Sequence, residues 1–139
     1  MFVDFQLAPD DISAIRFGVS PGHELSHAVR VLQRPEEQPL QWGWLRSVRG
    51  AVPPDAFELM AVIIGADGYF PDFLTATPSW DLTPAEEAGR LADVRPELLR
   101  ADLTKMLARS TGRRQEAIAR MIEHPIRARG MIADAWIEL

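Results

Sequence analysis

The sequence predicts a mainly α, multi-helix globular domain with a short N-terminal β-strand. Three observations predict it. Apolar residues recur at three- and four-residue spacing in one segment after another. Prolines and small hydroxyl residues stand where those segments begin, as helix starts require. The 139 residues are 47% hydrophobic and 25% charged, an ordinary ratio for a single buried core. A second core is not expected at this length, so residues 1–139 are read as one domain.

The strand is expected at Phe2 to Leu7, where apolar Val3, Phe5 and Leu7 alternate with Asp4 and Gln6. Such a strand needs a partner, either a later segment near Tyr69 to Leu74 or another copy of the chain. Pro9, Asp10 and Asp11 then offer an acidic first turn to a short helix through Ile12, Ile15 and Phe17 that ends near Gly18. Ser20-Pro21 caps and starts a second helix, whose core face reads Leu25, Ala28, Val29 and Leu32 and which the polar loop from Pro35 to Pro39 ends. Trp42, Leu45 and Val48 space a third helix, stopped near Gly50 and Pro53-Pro54, and Asp55 to Ile64 reads as a buried fourth.

Residues 65–83 mix turn formers with Tyr69, Phe70, Phe73, Leu74 and Trp80, the composition of an ordered, packed loop. Thr83-Pro84-Ala85-Glu86 fits a capping box. Helices are expected at 84–94, 96–109 and 113–124, with a last segment from Ile126 to Leu139 after Pro125. Met131, Ile132, Ala135, Trp136 and Leu139 form an apolar stripe that still runs at the final residue, so the expectation is that residues 1–139 are the front part of a longer product.

Composition narrows the function. No apolar run approaches the ~18 residues of a membrane span, and nothing at Met1 resembles a leader, so a cytoplasmic protein without membrane partners is expected. With no cysteine, thiolate catalysis and cysteine metal boxes are excluded. The net charge of -5 argues against a general polyanion binder. The charge is uneven, however: residues 1–99 carry 7 basic and 15 acidic side chains, and residues 100–139 carry 8 basic and 5 acidic.

Three constellations carry possible chemistry. His23-Glu24-Leu25-Ser26-His27 matches the HExxH pattern, in which two histidines one turn apart hold zinc and the glutamate is the base. The setting is poor, because Pro21 and Gly22 put His23 in the first helical turn, and a third ligand must come from His124, Glu36, Glu37 or Glu58 without a supporting pattern. Ala108, Gly112 and Ile118 have helix-turn-helix spacing inside a basic stretch holding Arg109, Arg113, Arg114 and Arg120, although Arg113 stands where an apolar residue is usual. Trp42, Trp44, Tyr69, Phe70 and Phe73, with Trp80, supply the aromatic walls of a possible cavity, with Asp72 or an amide as its polar anchor. No glycine-rich phosphate loop or nucleophile elbow is present, so no cofactor is expected.

Gly68-Tyr69-Phe70-Pro71-Asp72-Phe73-Leu74-Thr75 resembles the PDFLTP-type signature of a group of actinobacterial ArsR-like winged-helix transcriptional regulators. The stretch from Asp11 through Arg16-Phe17-Gly18-Val19-Ser20-Pro21 to Glu24-Leu25 is similar to that group's N-terminal region, as are Trp44-Leu45 and the spacing into Arg95-Pro96. Ala76 departs from the usual proline. The resemblance implies a largely helical N-terminal domain that senses an effector or dimerises, with DNA bound only by a winged helix beyond Leu139.

The expectation is therefore a non-enzymatic regulator domain that forms a homodimer and takes a small-molecule effector among Trp42, Trp44, Tyr69, Phe70, Asp72 and Phe73. A zinc-dependent hydrolase using His23 and His27, or a helical protein-interaction module, is the alternative.

Overall fold

Among the described residues, proline occupies the first turn of six of eight α-helices, where its missing N–H costs nothing and its fixed φ suits the helix. The computed structural model describes residues 3–15, 18, 20–66, 68–74 and 82–139. Among these the helices are α1 (Pro9–Ala14), α2 (Pro21–Gln33), α3 (Trp42–Val48), α4 (Pro54–Ile63), α5 (Pro84–Asp93), α6 (Pro96–Leu107), α7 (Gly112–Glu123) and α8 (Pro125–Glu138). Short 3-10 turns lie at Pro35–Glu37, Pro39–Gln41 and Asp72–Leu74.

The expected helices are present within a few residues of their expected ends, and the protein is mainly α. The expected β-strand is not. Val3 to Leu7 have no regular structure, and their apolar side chains are exposed. The physical reason is that a strand needs a second strand to satisfy its N–H and C=O groups, and no strand occurs among the described residues. Tyr69 to Leu74, the partner considered from sequence, instead turns onto α6. Phe2, Phe17, Ala76 and Trp80 lie outside the described residues.

Helix α8 is the hub, packing against α4, α5, α6 and α7. Its apolar stripe explains this: Ala128, Ile132, Ala133, Ala135 and Trp136 are buried. Around it Met60, Ile63, Leu99, Leu103, Met106 and Ile118 are buried almost completely, each contributing about 2 kcal/mol of apolar burial.

The second helix differs from its expected face. Of Leu25, Ala28, Val29 and Leu32, only Val29 is fully buried and Leu25 packs against the core in part, while Gly22 and Ser26 are the other buried residues of the helix. Gly22 lets the helix come close, since a Cβ there would sit 2.7 Å from Cζ2 of Trp136. Ser26 is tolerated because its hydroxyl donates to the Gly22 carbonyl at 2.7 Å. Rotation toward these small residues leaves Leu25, Ala28 and Leu32 partly exposed.

Candidate functional site

The resemblance segment folds onto α6. Asp72–Leu74 forms a 3-10 turn, Pro71, Phe73 and Leu74 are buried, and Gly68 supplies a left-handed turn at φ 82°. The N–H of Phe73 donates to the buried carboxylate of Asp102 at 2.9 Å, and Lys105 Nζ bridges Asp102 at 3.0 Å and Asp72 at 3.3 Å. The Arg109 guanidinium lies 5.1 Å from the centre of the Tyr69 ring. Burial, followed by the negative charge of Asp102, pushes the Tyr69 hydroxyl above its ordinary range. The hydrogen bonds that Lys105 donates to Asp102 and Asp72 raise its ammonium in turn.

The six aromatic and acidic residues expected at a cavity are not gathered into one. Phe73 is core, Phe70 packs beside the His23 ring with centroids 6.0 Å apart, and Asp72 faces Lys105 at the surface. Trp42 and Trp44, two positions apart on α3, line different hollows. Trp42 donates its indole N–H to the Pro35 carbonyl at 3.2 Å and walls a hollow of about 330 Å³ with Leu32 and Leu45.

Trp44 lines a groove of about 730 Å³. Leu25, Ala28 and Val31 of α2 form one wall of this groove, and Trp136 and Ile137 of α8 line it as well. Pro84 at the start of α5 lines it too, and Glu24, His27 and Gln41 add polar groups. The half-exposed face of α2 is what opens it. A site of this kind offers two indoles and aliphatic walls to an apolar ligand, with a carboxylate, an imidazole and an amide to orient a polar end. The contributions of Leu25, Val31 and Ile137 were not apparent from sequence as site residues, and Trp136 was visible only as part of the apolar stripe on the last helix.

The HExxH residues are divided between two environments. His23 accompanies Phe70, whereas Glu24 and His27 line the groove. The two imidazole centres are 6.5 Å apart, and among the described residues no group of three histidines or carboxylates is placed to hold a metal. Among the described residues, His23 and His27 are not joined by the third ligand that a catalytic zinc centre requires.

The basic stretch is partly engaged within the protein. Arg109 covers Tyr69, and Arg114 Nε donates to the Val62 carbonyl at 2.9 Å, tying α7 to the C-terminal turn of α4. Helices α6 and α7 do pack together, with Ile118 fully buried between helices, while Arg113 and Arg120 are exposed. No known protein family, curated protein or solved structure matches the chain.

Proposed function

We propose that the chain is the effector-sensing or dimerising domain of a bacterial, actinobacterial-type ArsR-like transcriptional regulator, cytoplasmic and homodimeric, with DNA contacted by a winged helix outside residues 1–139. The observation that carries this reading is the groove that Trp44, Leu25 and Ala28 line together with Trp136 and Ile137 of α8. Its walls suit a mainly apolar small molecule with one polar end that meets Glu24, His27 or Gln41.

Such a ligand contacts α8, the helix on which the rest of the core is assembled. Coupling to DNA follows if the ligand has different affinity for two settings of α8 relative to α2, because only differential affinity moves an equilibrium. The resemblance segment supports the reading from a second direction. Pro71, Phe73 and Leu74 of the segment are buried, a packing role of the kind that a family signature without chemistry requires.

The test is duplex-DNA binding by this chain and by a protein extended beyond Leu139, side by side at fixed salt. The reading expects binding by the longer protein alone, weakening steeply as salt rises. Binding by neither, together with stoichiometric zinc that is lost in His23→Ala and His27→Ala, overturns it in favour of a metal-dependent hydrolase.

A further inference from the structure

Two surfaces of the chain are apolar, uncovered and opposite in charge. The first is the N-terminal arm, residues 3–15. Val3, Phe5, Leu7 and Ile12 expose 60–82% of their surface, and α1 buries no residue. The arm carries Asp4, Asp10 and Asp11 and no cation.

The second surface is the hollow between the end of α2 and α3. Among the described residues it is lined by Leu32, Pro35, Trp42 and Leu45, with Arg46 and Arg49 and no acidic side chain. Leu40 beside it is fully exposed. Residues 30–49 hold four arginines against two glutamates, and one of the latter, Glu37, is paired with Arg34.

We propose that the arm of one copy lies in the α2–α3 hollow of a second copy, with Phe5 and Leu7 on Leu32, Trp42 and Leu45 and with Asp4 and Asp10 facing Arg46 and Arg49. Contiguous exposed apolar surface marks an interaction site, and the matching charges select the occupant. A two-fold arrangement uses both surfaces twice, so that neither arm nor hollow is left over. The inference rests on the homodimeric part of the function proposed above and names the surface that makes the dimer.

The absence of cysteine makes site-directed linking unambiguous. Gln6→Cys and Arg49→Cys are prepared as separate proteins, checked for helical content, mixed and oxidised; a disulfide between positions 6 and 49 then forms only between copies. The expected result is a linked heterodimer from the mixture, a wild-type dimer in sedimentation, and at least a tenfold weaker dimer in Asp4→Arg/Asp10→Arg. Combining that arm with Arg46→Asp/Arg49→Asp restores the dimer. A wild-type dimer that neither links nor weakens when residues 1–8 are removed overturns the exchange while leaving the dimeric reading intact. A chain that stays monomeric at every concentration overturns both.

Discussion

The buried carboxylate of Asp102 accepts the backbone N–H of Phe73 at 2.9 Å, joining residues 29 positions apart. The same carboxylate holds Lys105 at 3.0 Å, so one side chain fastens the loop before α5 to the middle of the helix bundle. Asp102→Ala strands the Phe73 N–H without its acceptor, which costs about 1–3 kcal/mol in urea denaturation at pH 7. Asp102→Asn keeps an oxygen in place and loses less. Equal stability of both variants and the wild type would remove the clip from the account.

Tyr69 and Lys105 both contribute stability that is lost at alkaline pH. Both groups have folded-state values above their ordinary 10.0 and 10.5, so their contributions are complete below those values and disappear as pH rises through the raised ones. The stability of the wild type therefore falls above about pH 10. Tyr69→Phe removes the phenol's share and keeps the ring under Arg109, giving a shallower alkaline decline. The Tyr69 hydroxyl is buried and has no hydrogen-bond partner among the described residues, so the variant is expected to be at least as stable as wild type at pH 7. Thermal melts from pH 7 to 11 read both effects.

At the acid end the capping box of α5 is the sensitive element. The backbone and hydroxyl of Thr83 donate to Glu86, each at 2.8 Å, and hold its carboxyl below the ordinary 4.5. That contribution is complete above pH 4.5 and is lost as pH falls through the lowered value. Glu86→Gln flattens this part of the stability profile. Thr83→Ala lowers stability at pH 7 by about 1 kcal/mol, measured by chemical denaturation.

Gly22 tests the closeness of α2 to α8. A Cβ at this position meets Oε2 of Glu87 at 2.5 Å and Cζ2 of Trp136 at 2.7 Å. The carboxylate end can swing aside, but the buried indole cannot. Gly22→Ala is expected to destabilise by about 1–3 kcal/mol despite the better helix propensity of alanine. A gain in melting temperature would show that the two helices are less tightly apposed.

Much of this architecture is legible from local chemistry. Ser20-Pro21, Thr83-Pro84 and Pro96 mark helix starts without reference to the rest of the chain, because caps and prolines act within one turn. The N-terminal strand was not recoverable in this way, since alternation at Val3, Phe5 and Leu7 describes a tendency that only a pairing partner can realise. The orientation of α2 also escaped periodicity. Leu25, Ala28 and Leu32 are expected in the core, but close approach at Gly22 and the self-satisfied hydroxyl of Ser26 turn the helix, so that Leu25 packs there only in part and Ala28 and Leu32 line the hollows. Aromatic composition likewise pointed to cavity residues without distinguishing Phe73, which packs inside, from Trp44, which lines the groove.

The proposed coupling between groove and DNA is tested most directly by filling the groove. Ala28 is half-buried on its wall, and Ala28→Trp in a protein extended beyond Leu139 occupies the space of a ligand without requiring its identity. With helical content unchanged, the account predicts a shift of roughly 5- to 150-fold in affinity for the operator duplex, the range of ordinary allosteric coupling. An affinity that remains within twofold of the unsubstituted protein would contradict it.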